Sequence, residues 1–470
     1  MIAALKPYAE CKEPGVPWLG RVPAHWAVRQ VRHIGNLLKG VGGTKEDAVA
    51  EGTSCVRYGE LYTTYTYFIR ASRTFIKPER VGRYTPLRYG DVLFAASGET
   101  IEDIGKSAVN LMQTPAVCGG DVIVLRPTVA LHAPFLGYAM DCRPAMNQKA
   151  TMARGTTVKH IYPDELKTLV FALPPPEEQV AIVRFLDWAN GRLERAIWAK
   201  RRVIALLNEQ KQAIIQCAVT RGLDPSAPLK PSGILWLGDI PQHWDVRRAK
   251  YIFREVDERS RDGSEELLSV SHLTGVTPRS QKNITMFKAA SYTGHKLCRP
   301  GDLVVNTMWA WMGALGVSTH TGIISPAYAV YRPCRPDLIV GNYMDGLLRS
   351  RPYVSNIICR STGLRASRLR LYPEEFLRLP IIQPPADEQR RIVERMHEET
   401  AELSVAIVRL EREIELLREY RTRLITDLVT GKFDVREAAA ELTDEVPYES
   451  ARDHAEMSAD REAADEEAEV

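Results

Sequence analysis

The chain has 470 residues, of which 45% are hydrophobic, so at ~100–200 residues per domain it should form more than one domain, each with its own core. No run approaches about 18 consecutive apolar residues, which excludes a membrane-spanning helix. Its eight cysteines are scattered with no C-x-x-C pair, which argues against a zinc site or a disulfide framework and agrees with a reducing cytoplasm. The net charge of +3 hides two unequal parts. Residues 436–470 carry three basic and thirteen acidic residues, leaving 59 basic and 46 acidic in the rest, and such a basic body suits a polyanionic partner.

In chain order, residues 1–15 read as a short lead without the apolar stretch of a signal peptide. A first module follows over 16–173, dense in Gly, Pro and Tyr. It opens on Trp18-Leu19-Gly20 and Pro23-Ala24-His25-Trp26, a packed entrance by the burial habit of tryptophan. The alternation Tyr62-Thr63-Thr64-Tyr65-Thr66-Tyr67 predicts a strand, Gly90-Asp91 a turn and Val122-Ile123-Val124-Leu125 a strand. The glycine-rich run Lys39–Lys45 lacks the spacing of a phosphate loop and reads as a surface loop.

Pro174–Pro176 stops that module and starts a helix over 174–222. A linker (223–233), a second module (234–380), a second helix (381–431) and an acidic, disordered tail (432–470) complete the order. The second half repeats the first. Trp236-Leu237-Gly238 and Pro241-Gln242-His243-Trp244 recur at an offset of 218, Gly301-Asp302 at 211, and Tyr372-Pro373-Glu374-Glu375 and Pro384-Pro385-x-x-Glu388-Gln389 at 210. Ala329-Val330-Tyr331 is a strand of the second module. Matching motifs in one order across 200 residues mark a duplication.

Both helices carry a heptad stripe. In the second, Met396, Leu403, Leu410, Leu417 and Leu424 hold one position and Ile407, Ile414 and Leu428 the other. The first has Leu186, Leu193, Leu207 and Ile214 with Ile197, Ile204 and Ala218. About five heptads in matching register predict a coiled coil about 65 Å long. Polar residues interrupt the seam at Asn190 and Thr400 and at Lys211 and Arg421, while Lys200 aligns with Leu410; such positions fix register or mark a solvent-facing turn. The expected fold is a pair of α/β modules separated by a long antiparallel two-helix coiled coil, with pseudo-twofold internal symmetry.

This duplicated order of module and helix resembles the specificity subunit of type I DNA restriction–modification systems. The likeness rests on the module openings, on the helix openings Leu173-Pro174-Pro175-Pro176-Glu177-Glu178-Gln179 and Pro384-Pro385-Ala386-Asp387-Glu388-Gln389, and on the helix ends Ala218-Val219-Thr220-Arg221-Gly222 and Leu428-Val429-Thr430-Gly431. It covers about 16–436. It implies two target recognition domains, each reading half of a bipartite, asymmetric site in double-stranded DNA. It also implies helices that dock two adenine-N6 methyltransferase subunits, and further restriction/translocase subunits. S-adenosylmethionine, ATP and Mg are then expected on those partners and no cofactor, metal or catalysis on this chain. The chain has no Asn/Asp-Pro-Pro-Tyr/Phe tetrad, no G-x-G-x-x-G and no G-x-x-x-x-G-K-S/T. Pro163-Asp164-Glu165-Leu166-Lys167 lacks the second carboxylate a metal nuclease needs, and its repeat partner has no Lys.

DNA contact requires cations for phosphate and amide or bidentate side chains for base edges. The modules carry 19 basic against 13 acidic residues and 20 against 13. Two repeat-equivalent stretches have basic residues and no acidic one: 143–159, with Arg143, Lys149, Arg154, Thr156 and Lys159, and 349–370, with Arg349, Arg351, Arg360, Ser361, Arg365 and Arg368. A further group is Arg57, Arg70, Arg73 and Lys77. Trp309 and Trp311 read as core or subunit interface, because duplex bases are not available for stacking. A protein-binding coiled-coil scaffold is the rival reading; a steep salt dependence of binding separates the two.

Overall fold

The computed structural model describes residues 5–442 except 99, 102, 157, 282–290 and 364–368. These form two compact bodies, one of 5–198 with 413–442 and one of 199–412. Each body contains one module together with the start of one long helix and the end of the other.

The first body is built on a five-stranded sheet in the order Gly35–Lys39, Val122–Pro127, Val92–Ala95, Ser107–Asn110, Tyr67–Ile69. Val92–Ala95 and Val122–Val124 are buried along their whole length, which is why the sequence is a continuous apolar run rather than an alternation. A second five-stranded sheet holds Thr53–Val56, Ala116–Cys118 and Thr85–Leu87. In the second body a four-stranded sheet runs Phe253–Val256, Ala329–Pro333, Leu303–Val305, Leu315–Val317. That is the order of the first four strands of the first body's sheet, so both modules share a four-stranded frame.

The repeated Gly-Asp pair belongs to this frame. Gly90 (φ +85°) and Gly301 (φ +91°) take the left-handed conformation that closes the turn. The buried carboxylates of Asp91 and Asp302 then accept two bonds each from a guanidinium on the neighbouring strand, Arg126 at 3.0 and 2.7 Å and Arg332 at 2.8 and 2.9 Å. Bidentate geometry pins strand to strand, and the charge of Arg126 and Arg332 is consumed inside the fold.

The long helices are Pro176–Arg221 and Ala386–Val429. Gln179 explains the shared start: its amide donates to Pro174 O at 2.9 Å and its oxygen accepts His132 N–H at 2.9 Å. Gln389 donates to Pro384 O and Leu338 O and accepts from Val340 N–H. Each glutamine thus caps the helix entry and ties it to its own module. All fifteen heptad residues, Leu186 through Leu428, are buried or half-buried. The polar interruptions have partners: Asn190 donates to Tyr138 Oη, Thr400 to Met396 O, Lys211 to Ser404 Oγ, and Arg421 to Glu194. In the second body the helix segments run in opposite senses, since Lys211 meets Ser404 while Gly222 lies beside Glu388.

Glu178 holds the entrance of the first module. It accepts from Tyr8 Oη (2.9 Å), Trp26 Nε1 (2.9 Å) and His25 Nε2 (2.6 Å). The end of the other helix meets the same indole, because Gly431 (φ +76°) lies so close that a Cβ would stand 2.3 Å from Pro23 Cδ and 3.0 Å from the Trp26 ring. In the second body Glu388 accepts from His243 at 2.7 Å and Gly222 faces the Trp244 ring.

Several expectations are corrected. Cys11–Lys12 of the lead pairs with Val22–Pro23, and Leu229–Pro231 of the linker with Asp239–Pro241; both are the same entrance ribbon at an offset of 218, so the repeat begins before residue 16. The segment 432–442 is not disordered. Asp434 N–H donates to Lys6 O, Arg436–Ala440 is helical, and Val435, Ala439 and Leu442 are buried in the first core; these apolar residues pay for its ordering. Residues 443–470 lie outside the described residues. The Tyr62–Tyr67 stretch is no strand: Tyr58–Thr63 is helical and Tyr67 has φ +61°. Its hydroxyls turn inward, Tyr62 donating to Ser97 O and Tyr65 accepting from Arg73 N–H.

Replacing Glu178 with Ala should destabilise the chain by about 2–4 kcal/mol in urea unfolding, because it strands buried donors. Glu388→Ala, which frees only the half-exposed His243, should cost about 1 kcal/mol.

Candidate nucleic-acid interface

The two basic stretches fold alike. Helix Ala133–Asp141 leads to Arg143–Met152 in the first module, as Gly341–Leu348 leads to Arg351–Arg360 in the second. A loop closed by a backbone bridge follows. Arg154 and His160 exchange backbone bonds at 2.9 and 2.7 Å, and Thr362 and Arg370 do so at 3.0 and 2.9 Å. Each loop is stapled to the segment after the Gly-Asp strand by the same bond, Ile161 N–H to Ala96 O and Leu371 N–H to Thr307 O, both 2.9 Å. Ser97 and His160 add a side-chain contact at 3.0 Å in the first module, and Arg370 Nε donates to Thr307 Oγ1 in the second. Beside each loop stands an exposed tyrosine, Tyr162 or Tyr372, repeat partners at an offset of 210.

The structure sorts the expected contact residues. Arg143 and Arg351, at the first turn of equivalent helices, are exposed, as are Arg154 and Thr156 on the first loop. Arg154 also pairs with Glu165 at 2.5 Å. Lys159 is half-buried and donates to Gly155 O. Arg70, Arg73 and Lys77 are exposed, with Arg70 over the Phe68 ring at 5.4 Å, while Arg57 donates to Thr44 O. Arg365 and Arg368 lie outside the described residues.

Four of the expected contact groups are already bonded inside the fold, Lys149 and Ser361 buried and Arg349 and Arg360 half-buried. Lys149 is 0% exposed. Its ammonium donates to Gly105 O (2.7 Å) and Met140 O (2.9 Å) and pairs with Asp141 at 3.3 Å, and burial pushes its pKa down. Arg349 donates to His272 O and to Leu273 O, holding the turn between strands Leu268–Ser271 and Gly275–Pro278. Arg360 is shared between Asn356 and Glu375. Ser361 is buried and closes its helix on Ile357 O. All eight cysteines are free thiols, and among the described residues no group of three or more His, Cys, Asp or Glu could hold a metal. No described helix is long and apolar enough to cross a membrane.

The two modules thus carry equivalent basic stretches on equivalent elements. No protein-family model matches the chain. Over 407 residues, 81% of this chain and 83% of its relative, it is 20% identical to the type I restriction enzyme EcoKI specificity subunit of Escherichia coli (strain K12). It is 21% identical over 228 residues, 46% of this chain and 47% of the relative, to the type I restriction enzyme StySPI specificity subunit of Salmonella potsdam. A solved chain from a type I R-M system, in work on its complex assembly and conformational transition, shares the fold at a TM-score of 0.56 and 18% identity, covering 87% of this chain and 99% of that one. The resemblance carried by the duplicated motifs is therefore a likeness along most of the chain: it is similar in sequence to type I specificity subunits and folds like a chain of a type I R-M system.

Near the turn that Arg349 holds, Asp345 accepts Val317 N–H at 2.6 Å and burial raises its pKa to about 6, with Arg349 opposing the rise. Because the folded pKa exceeds the unfolded one, this group's stabilising contribution is present below about pH 4 and is lost as pH rises through about 6. Asp345→Asn keeps the acceptor for Val317. It should raise stability at pH 7.5 by on the order of 1–2 kcal/mol, with the gain vanishing by about pH 4, as read by thermal unfolding at both pH values.

Proposed function

We propose that this chain is the non-catalytic DNA sequence-recognition subunit of a type I restriction–modification complex, reading a bipartite, asymmetric target with one module per half-site. The observation that carries this is the repetition of one stapled basic loop on one four-stranded frame. Two equivalent surfaces suit two tracts of one polyanion, and sequence differences between their loops suit two different half-sites. The chain brings no reacting group. S-adenosylmethionine, ATP and Mg belong to partner subunits that modify or translocate DNA, and the complex works in the cytoplasm.

The helices act as a coiled coil that separates the modules with pseudo-twofold symmetry, and they dock two methyltransferase subunits. Exposed apolar side chains support this. In the first body Trp198, Leu416 and Tyr420 are exposed on the helices, and in the second Val203, Leu206, Val405 (69%) and Val408 (64%). Trp198 matches Val408 and Leu206 matches Leu416 at the 210 offset, so the bodies share one apolar pair, while Val203, Val405 and Tyr420 align with Glu413, Arg195 and Gln210.

Co-expressed with its methyltransferase, the chain should enrich a two-part sequence from randomised DNA; failure to enrich any bipartite site overturns the reading. Val405→Asp with Val408→Asp should reduce the methyltransferase copies retained on size exclusion from two to one. Retention of both would remove that patch from the interface.

A further inference from the structure

The second module carries a preformed aromatic pad that its counterpart lacks. Directly after strand Leu303–Val305 the chain enters the turn Ala310–Met312. Trp309 and Trp311 stack there, ring centroids 5.9 Å apart and planes 18° from parallel. The turn is rigid: Trp311 Nε1 donates to Met308 O (2.9 Å), Trp309 N–H to Asn306 O (3.0 Å), Ala310 is buried, and Gly313 (φ +87°) closes it. Both indoles are half-buried and Met308 is 42% exposed. Alongside, Arg370 donates to Thr307 Oγ1 and lies 5.9 Å over the exposed Tyr372 ring. Aromatic faces, a thioether and a guanidinium thus share one surface.

The frame does not demand this pad. The first module has the same strand and the same staple to Ala96, yet its corresponding segment of Ser97, Gly98, Thr100 and Ile101 supplies no aromatic ring of its own, the ring there being that of the half-buried Tyr62, which packs on Gly98 and donates to Ser97 O. A surface for a methyltransferase present in two copies would repeat in both modules, as the shared apolar pair on the helices does. A feature confined to one module fits what differs between the modules, the half-site, and the surrounding stretch 349–370 has no acidic residue to repel phosphate.

We propose that Met308 and the Trp309–Trp311 pair determine the second module's half-site specificity by apolar contact with base edges in a groove of double-stranded DNA, thymine methyl groups being the natural partner, with Arg370 and Tyr372 against the adjoining backbone. Edge contact, unlike stacking, needs no unpaired base. The inference rests on the DNA-recognition reading above.

The test uses the complex with its methyltransferase and single-molecule methylome sequencing. Met308→Ser and Trp311→Ala, each shown by thermal unfolding to remain folded, should relax or change the motif in one half-site only, with an about 10-fold or greater loss of affinity for the native site. Trp311→Phe should restore most of it. An unchanged motif at unchanged affinity, equal loss at both halves, or loss of a methyltransferase copy each overturns the proposal while leaving DNA recognition intact. Absence of any bipartite motif with the unaltered chain overturns both.

Discussion

The clasp on two buried indoles governs the rest of the structure. Trp26 and Trp244 are both fully buried, and each is met by helix ends. Trp26 gives its N–H to Glu178 at the start of the first long helix and packs on Gly431 just past the end of the second. Trp244 packs on Gly222 past the end of the first helix, next to a histidine held by Glu388 at the start of the second. A module clasped in this way cannot slide along a helix. The basic stretches are tied to the same frame by the staples at Ala96 and Thr307. The two clasps differ in strength: Glu178 satisfies three donors, whereas among the described residues Trp244 Nε1 has no hydrogen-bond partner.

Charge in this protein does two jobs, and counting it mixes them. Arg126, Arg332, Lys149, Arg349 and Arg360 bond to carboxylates, carbonyls or an amide within the fold. Removing Lys149, Arg126 or Arg332 leaves buried partners unsatisfied, so its loss weakens folding. Arg143 and Arg351, on equivalent elements, are exposed. The charge on the surface is therefore smaller than the modules' excess of basic residues suggests.

Much of the organisation was legible in the primary structure because it depends on periodicity. A heptad stripe reports a buried helix face whatever it packs on, and the residues from Leu186 to Leu428 are indeed out of solvent. The motifs Pro-Pro-x-x-Glu-Gln and Gly-Asp were legible as repeats, though not as mechanisms, since their partners (Tyr8, His132, Arg126, Arg332) lie 30 to 170 residues away. The candidate site was less legible. The two basic stretches do end in equivalent backbone bridges, but Lys149 and Ser361 are buried, Arg349 and Arg360 bond within the fold, and the indoles of Trp309 and Trp311, read as core or subunit interface, are half-buried.

By itself, then, the sequence determined the duplication, the two long helices and the segregation of charge, because repeats, heptads and composition are local or periodic properties of a chain. Only the tertiary structure decided which cations are spent inside the fold, where each module begins, and that residues 432–442 complete the first core. Burial is a property of neighbours distant in sequence. A lysine at the surface and a lysine among carbonyl oxygens are written with the same letter, and only the folded chain brings Gly105, Met140 and Asp141 around Lys149.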